Sequence, residues 1–173
     1  MKKCLIIYST TDGHTKKICE HIIGQIRSLQ EITLTTIPET SQEELLKHDN
    51  IIIGASIRYG KHKKEVYEFI KKNLNAINSK NNYFFSVNAV ARKDNKNTPE
   101  TNPYVIKFLK QTAWNPTHTG VFGGKVNYPK YKFFDKHIIR FIMWLTNGPT
   151  DITKSYEFTD WKSVTLFSQK IAQ

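Results

Sequence analysis

The amino-acid sequence predicts an α/β fold, in which helices cover both faces of a doubly wound parallel sheet. Short apolar runs that suit buried strands alternate with amphipathic stretches that suit helices, and this alternation is typical of parallel sheets. The 173 residues fit one domain over residues 1–173, since domains usually hold about 100–200 residues. Only two cysteines occur, so we expect core thiols in a reducing compartment and no disulfide framework.

Five strands are predicted from runs of apolar or β-branched residues that turn-forming residues bound. In chain order they cover residues 5–8, 32–37, 51–55, 83–90 and 119–123. Apolar residues at helical spacing predict helices at residues 15–29, 42–48, 63–77, 101–111 and 159–172. Thr159 and Asp160 suit the cap of the last helix, because their side-chain oxygens can accept bonds from its first N–H groups.

The turn between the first strand and the first helix has the composition of a phosphate site. This phosphate turn, residues 9–15, reads Ser-Thr-Thr-Asp-Gly-His-Thr and leads into a helix whose free N–H groups and positive dipole end face it. It lacks both the lysine of G-x-x-x-x-G-K-[ST] and the glycines of G-x-G-x-x-G, which argues against nucleoside triphosphates and dinucleotides. A terminal phosphate monoester fits, as in the FMN sites of flavodoxin-like proteins.

The predicted phosphate contacts are the hydroxyls of Ser9, Thr10 and Thr15 and the backbone N–H groups of Gly13 and His14. Asp12 is excluded from these contacts, because an ionised carboxylate beside a phosphate dianion would be repelled. The alternative is that Ser9, Thr10 and Asp12 only cap the helix, as such residues commonly do. The turn alone does not decide between these interpretations.

In doubly wound sheets, ligands bind beyond the carboxyl ends of the strands, where the strand order reverses. With the flavodoxin-like order 2-1-3-4-5, the phosphate turn would meet the loops after the third and fourth strands. Their predicted cofactor contacts are Ser56, Ile57, Arg58, Tyr59, Gly60, Ser86, Val87, Asn88, Ala89, Val90, Ala91 and Arg92.

The two loops suggest different contributions to a flavin site. Residues 54–60 combine small residues, an aromatic ring and a cation, which suits a loop lying against a planar ring; the alternative is a turn with Tyr59 packed on the surface. Arg92 and Lys93 would bring positive charge to the pyrimidine edge of a flavin and make the flavin easier to reduce. Alternatively, these two side chains point into water.

Residues 124–149 form an insertion that a five-stranded domain of this kind does not need. Its apolar residues at helical spacing, and its cations every fourth residue on another face, predict a basic amphipathic helix that ends at residues 148–149. The apolar set is Phe134, Ile138, Phe141, Ile142 and Leu145, and the basic set is Lys132, Lys136 and Arg140. Such a helix can lie in a membrane interface. Packing on the domain's own core and a subunit interface in a homo-oligomer are the alternatives, and binding of single-stranded nucleic acid is disfavoured beside a mononucleotide site.

The net charge of +11 favours acidic partners, such as anionic lipid or a carboxylate-bearing substrate. No apolar stretch approaches the roughly 20 residues of a membrane-spanning helix, and the first apolar run is too short for a secretory signal. The six histidines are scattered, so no metal site is predicted.

Ordered motifs run along nearly the whole chain. They are Ser-Thr-x-Asp-Gly-x-Thr at residues 9–15, Ile-Gly-Ala-Ser-Ile-Arg-Tyr-Gly at 53–60, Ser-Val-Asn-x-Val-Ala-Arg-Lys at 86–93, Thr-Pro-Glu-Thr-Asn at 98–102, Tyr-Pro-Lys-Tyr at 128–131 and Thr-Asp-Trp at 159–161. Together they resemble the bacterial FMN-dependent protoporphyrinogen dehydrogenases, which are flavodoxin-like enzymes that pass electrons to quinone.

The resemblance implies FMN as the cofactor and oxidation of protoporphyrinogen IX to protoporphyrin IX in haem biosynthesis. Each of three rounds would transfer hydride from a methylene bridge to flavin N5, with loss of a pyrrole proton. Menaquinone or ubiquinone would accept the electrons, with the enzyme bound peripherally at the cytoplasmic face of the bacterial inner membrane.

The substrate implied by the resemblance is an apolar macrocycle with two propionates, which calls for aromatic and cationic contacts. The candidates are Arg58, Tyr59, Arg92, Lys125 and Lys130; each of the cations could instead be merely solvated. No catalytic acid or base is assigned. The rival functions are an NAD(P)H-dependent FMN quinone reductase and a non-enzymatic electron carrier of the flavodoxin type, and the basic net charge counts against the carrier.

Overall fold

The structure, a computed structural model, describes residues 1–172. Its main sheet has five strands in the order β2-β1-β3-β4-β5, and each adjacent pair is parallel. The strands are β1 (Lys2–Ser9), β2 (Gln30–Thr36), β3 (Asn50–Ser56), β4 (Asn81–Asn88) and β5 (His118–Gly123). The predicted fold class and strand order are therefore confirmed.

Six α-helices accompany this sheet. They are α1 (His14–Ile26), α2 (Gln42–Lys47), α3 (Lys64–Asn78), α4 (Pro103–Thr112), α5 (Phe133–Leu145) and α6 (Trp161–Ile171). Helices α1 and α6 pack on one face of the sheet, and α2, α3 and α4 pack on the other. Successive strand residues serve opposite faces, so Phe84 packs with α3 and α4 while Phe85 packs with α1 and α6.

Side-chain caps move several element boundaries from their predicted positions. The fourth strand ends at Asn88, two residues early, because its side-chain Oδ1 accepts a hydrogen bond from the N–H of Ala91 (3.0 Å) and starts a 3-10 turn. Helix α6 begins after Asp160, whose side chain caps it, as predicted. Thr159 does not share that role, since its hydroxyl donates to the carbonyl of Gly123 (2.7 Å).

The insertion contains the predicted helix, α5, together with a feature that the sequence analysis did not predict. Strand β6 (Lys125–Asn127) pairs antiparallel with β7 (Ser155–Glu157) in a separate two-stranded ribbon. Ribbon and helix enclose a small third core of Val126, Tyr128, Ile139 and Met143. The ribbon thereby joins the start of the insertion to the segment that follows it, directly after β5.

Candidate functional site

The structure has a cavity at the carboxyl ends of β1, β3 and β4, where the sequence analysis places a ligand. Three loops and the insertion form its walls. The lining residues are Thr10, Thr11, Asp12, His14, Thr15, Ser56, Ile57, Arg58, Tyr59, Gly60, Val87, Asn88, Ala89, Val90, Arg92, Tyr104, Gly124, Lys125, Val126, Tyr131, Ile139, Ile142, Met143 and Thr146.

The N-terminus of α1 has no side-chain cap, which is also true of α3 and α5, whereas α2, α4 and α6 each have one. Gly13 holds the cap position of α1 in the left-handed region, with φ of 84°, a conformation that glycine adopts without a steric penalty. The first N–H groups of this helix therefore remain available to an anion, and the dipole favours one. The alternative that Ser9, Thr10 and Asp12 cap this helix is not what the structure has.

Thr15 adds a second sign of an anion site. The residue is fully buried, yet its Oγ1 has no hydrogen-bond partner among residues 1–172. A buried hydroxyl without a partner costs about 1–3 kcal/mol, so such groups are rare unless a ligand or an ordered water satisfies them. The uncapped helix and the unpaired hydroxyl both fit a phosphate group at this turn.

Other predicted phosphate contacts have partners within the protein. The hydroxyl of Ser9 donates to Oε1 of Glu65 (2.7 Å), and Ser9 does not line the cavity. The N–H of Gly13 donates to Oγ1 of Thr10 (3.0 Å). The ring of His14 lies 2.6 Å from the hydroxyl of Thr159, which leaves its backbone N–H as its contribution to the phosphate turn.

Residues 58–61, after β3, form a tight turn that presents Tyr59 to the cavity. The N–H of Arg58 donates to the carbonyl of Lys61 (3.0 Å), and the N–H of Lys61 donates to the carbonyl of Arg58 (3.3 Å). Both central residues have positive φ, 51° at Tyr59 and 78° at Gly60. This conformation suits glycine but costs a tyrosine about 1–3 kcal/mol, a strain that proteins tend to keep at functional sites.

Arg58 bridges the phosphate turn and α5. Its Nη1 lies 2.7 Å from Oδ2 of Asp12, its Nη2 lies 3.6 Å from Oδ2 of Asp135, and its guanidinium lies 4.8 Å from the ring centre of Tyr131. Asp12 therefore turns toward a cation and away from the uncapped helix. The hydroxyl of Tyr59 also donates to Asp135, and this hydrogen bond raises the pKa of the phenol. The side chains of Arg58 and Tyr59 thus hold the N-terminal end of α5.

Arg92 holds the opposite end of α5. Its Nη2 donates to the carbonyl (2.6 Å) and the hydroxyl (3.0 Å) of Thr146, at the C-terminus of α5, and its Nη1 donates to the carbonyl of Ala89 (2.7 Å). A cation at this end also complements the helix dipole. Both arginines predicted to contact cofactor or substrate line the cavity, but their hydrogen bonds within the protein attach the insertion to the two loops.

A buried polar network supports the loop after β4. Nδ2 of Asn88 donates to Oγ of Ser86 (3.3 Å), and Oδ1 of Asn88 accepts from Nδ2 of Asn102 (3.1 Å). Nε2 of His62 lies 3.0 Å from the same serine oxygen, and burial lowers the pKa of this histidine to about 3. Ser86 and Ala91 are buried and do not line the cavity, whereas Val87, Asn88, Ala89 and Val90 do.

Helix α5 separates the cavity from the exterior. Ile139, Ile142 and Met143 line the cavity. The outward face of α5 carries large apolar side chains that are 47–78% exposed. These exposed residues are Phe133, Phe134, Ile138, Phe141, Trp144 and Leu145. Of the predicted apolar set, Phe134, Ile138, Phe141 and Leu145 point outward and Ile142 lines the cavity, so most of the set does not pack on the domain's own core. Among residues 1–172, no helix is long and apolar enough to cross a bilayer.

Comparisons with known proteins match the chain to one family and one fold. Residues 5–153 match the family model described as flavodoxin domain. Two relatives named protoporphyrinogen IX dehydrogenase [quinone] align with almost the entire chain. The one from Leishmania major is 41% identical over 172 residues, which are 98% of this chain and 74% of the relative. The one from Escherichia coli strain K12 is 37% identical over 171 residues, which are 98% of this chain and 94% of the relative.

Solved flavodoxin structures share the fold at low sequence identity. Oxidised flavodoxin 1 from Bacillus cereus is 17% identical with a TM-score of 0.53, over 97% of this chain and 95% of that one. A short-chain flavodoxin associated with a PDU bacterial microcompartment is 12% identical with a TM-score of 0.56, over the full length of both chains. These structures bear on the fold alone.

Proposed function

Because the chain belongs to the flavodoxin domain family, and within it to the protoporphyrinogen IX dehydrogenases that use quinone, we propose that it oxidises protoporphyrinogen IX to protoporphyrin IX. The proposed cofactor is FMN, the proposed acceptor is menaquinone or ubiquinone, and the reaction would serve haem biosynthesis. The observation that carries the proposal is the apolar wall of Ile139, Ile142 and Met143, which the insertion adds to a flavodoxin-type site. It suits a macrocycle that is apolar except for its propionates.

The residues that would hold FMN fall into three groups. The N–H groups of the first turn of α1 and the hydroxyls of Thr10 and Thr15 would bind its phosphate. Tyr59 and its turn would border the ring on one side, and the loop of Asn88 to Arg92 would border it on another. When bound, FMN supplies a two-electron acceptor that takes hydride from the substrate and passes the electrons to quinone.

The chain's own contribution is binding, orientation and exclusion of water. Three two-electron oxidations convert one protoporphyrinogen IX and three quinones to one protoporphyrin IX and three quinols. Helix α5 would exclude water from the reacting face, and its attachments at Arg58 and Arg92 would keep it there. Such positioning suits hydride transfer, which depends on the close approach of donor and acceptor.

An anaerobic assay tests this function. The FMN-loaded protein is mixed with protoporphyrinogen IX, with and without menaquinone, and porphyrin fluorescence is followed. We expect fluorescence to rise only when the quinone is present. Activity that requires NADPH would instead support the quinone reductase, and turnover that requires an added reductase protein would support the electron carrier.

We propose further that the protein binds membranes peripherally, through the outward face of α5, at the cytoplasmic face of the bacterial inner membrane. That face carries exposed aromatic residues, including the stacked pair Phe141 and Trp144. The same helix region carries the basic set Lys132, Lys136 and Arg140. Aromatic side chains favour the lipid interface and cations favour anionic headgroups. Since the other side of α5 lines the cavity, a quinone dissolved in the bilayer would reach the site beside this helix.

Vesicle sedimentation tests the membrane proposal. The double variant Phe141→Ser/Trp144→Ser should bind vesicles rich in phosphatidylglycerol at least about tenfold more weakly, because each large side chain contributes about 1.5–3 kcal/mol on burial. The matched control is Ile106→Ser/Leu166→Ser, which removes exposed apolar residues from α4 and α6. Equal binding by both variants would reject the membrane face. A loss of dimers on gel filtration would identify it as a subunit interface.

A further inference from the structure

A second recess opens beside the cavity, and three of its eight lining residues are lysines. We call it the cationic pocket. Its lining residues are Asp12, Gly13, His14, Lys17, Lys125, Asn127, Lys130 and Tyr131. The three lysines come from three separate places in the chain, namely helix α1, strand β6 and the 3-10 turn that follows β6. The start of the insertion thus brings two lysines to the same recess as Lys17 of α1, which is remote from them in sequence.

The positive charge of this pocket is only partly balanced from within the protein. Asp12 is committed to Arg58 at 2.7 Å, and Lys17 has a longer pairing with Glu157 at 3.6 Å. In the described part of the chain, Lys125 and Lys130 form no ion pair. The pKa of His14 is lowered chiefly by burial, and the charges of Lys17 and Lys125 lower it further against the opposing effect of Glu157.

The cationic pocket and the cavity share a wall. Asp12, His14, Lys125 and Tyr131 line both. The two recesses therefore adjoin, and a ligand in the cavity would lie beside the lysines of the pocket.

The arginines near the cavity are less suited to an incoming carboxylate than these lysines. Arg58 already faces the carboxylates of Asp12 and Asp135. Arg92 already donates to two carbonyls and one hydroxyl. A substrate carboxylate would have to displace those partners, whereas Lys125 and Lys130 need give up no ion pair within residues 1–172.

We propose that the cationic pocket binds the propionate carboxylates of the tetrapyrrole, with Lys125 and Lys130 as the principal partners. This inference rests on the proposed function and adds a subsite to it. The apolar macrocycle would lie against the α5 wall, and the propionates would set which edge of the ring faces the flavin. The pocket would therefore select tetrapyrroles with free carboxylates over their esters.

The test compares two double variants that remove the same charge. Lys125→Gln/Lys130→Gln alters the pocket, and Lys71→Gln/Lys72→Gln alters exposed lysines of α3 that line neither recess. Each FMN-loaded protein is titrated with protoporphyrin IX and with its dimethyl ester, and binding is followed by porphyrin fluorescence. Dissociation constants for FMN and steady-state kinetics with protoporphyrinogen IX and menaquinone are measured on the same samples.

We expect the pocket variant to bind the diacid about tenfold more weakly, as the loss of two ion pairs of exposed lysines would. Its affinity for the ester and for FMN should not change, and KM should rise with kcat within about twofold. The α3 variant should match the wild type throughout. Equal weakening for diacid and ester, or no weakening for either, would overturn the proposal. A rise in the FMN dissociation constant alone would assign the lysines to the cofactor phosphate instead.

The binding arm separates this proposal from the proposed function. If the wild type discriminates diacid from ester through these lysines but does not oxidise protoporphyrinogen IX, the pocket stands and the function fails. If the wild type turns over and the pocket variant keeps its KM and its porphyrin affinity, the function stands and the pocket fails.

Discussion

Thr15→Val should have opposite effects on folding and on FMN binding. Valine keeps the β-branched shape and replaces the hydroxyl by a methyl group, so packing in this fully buried position is retained. The hydroxyl has no partner among the described residues, and its burial costs about 1–3 kcal/mol. The free energy of unfolding of the FMN-free protein should therefore rise, by about 1 kcal/mol. The melting temperature should increase by roughly 2–4 °C for a chain of this size.

FMN affinity should fall in the same variant. A hydrogen bond to a charged acceptor contributes about 1.5–3 kcal/mol, so the dissociation constant of FMN should rise about 10- to 150-fold. Riboflavin has no phosphate, and its affinity should be unchanged. The assays are thermal unfolding of the FMN-free protein and quenching of flavin fluorescence with each ligand.

Thr112→Val provides the matched control, because its buried hydroxyl donates to the carbonyl of Phe108 at 2.9 Å. That change should lower the melting temperature and leave both flavin affinities unchanged. The reasoning about the phosphate turn is refuted if Thr15→Val destabilises the FMN-free protein as Thr112→Val does, or if it weakens riboflavin as much as FMN.

Three further predictions concern the core. Burial lowers the pKa of His62 to about 3, while the unfolded state takes up its proton near pH 6.5. The free energy of unfolding should therefore fall by about 1.4 kcal/mol for each pH unit by which the pH is lowered from about 6.5 to about 3, and urea unfolding of His62→Phe should lack this contribution. Gly54→Ala should destabilise by about 1–3 kcal/mol, since its Cβ would lie 2.1 Å from a neighbouring aromatic ring, whereas Gly24→Ala, with open space around it in α1, should stabilise by about 0.5–1 kcal/mol in the same assay. Burial raises the pKa of both Cys4 and Cys19, so maleimide labelling at pH 8 should require unfolding; labelling of the native protein would contradict the buried placement.

Local sequence patterns predict the sheet and the position of the cavity because each depends on neighbouring residues. A buried apolar run, a glycine at the cap and a following helix place the phosphate turn without knowledge of distant contacts. The strand order also follows from the fold class that these patterns indicate. Local patterns do not show which side chains are free to contact a ligand. Ser9, for example, is bound to Glu65, which lies on α3 and is remote in sequence.

The orientation of α5 lies outside what its own sequence determines. Apolar residues occur on two sides of this helix, with Ile139 and Met143 on one and Phe134 and Phe141 on the other. Helical periodicity identifies the broader apolar stripe but leaves open whether it lies in a membrane interface, packs on the domain's own core or forms a subunit interface. The structure buries the narrower stripe, because the ribbon and Tyr128 form a core that receives it. Three-residue strands such as β6 are too short for the alternation that identifies a strand.

The attachments of α5 also change the electrostatic argument that the sequence suggests. Arg58 faces two carboxylates, so its positive charge is largely compensated before any ligand arrives. Arg92 is bound by carbonyl and hydroxyl oxygens, which carry no net charge. Of these two cations, Arg92 is the one whose charge would act on a bound flavin and make it easier to reduce. Arg92 also holds the C-terminus of α5, so the same residue would set both the electron affinity of the flavin and the position of the wall beside it.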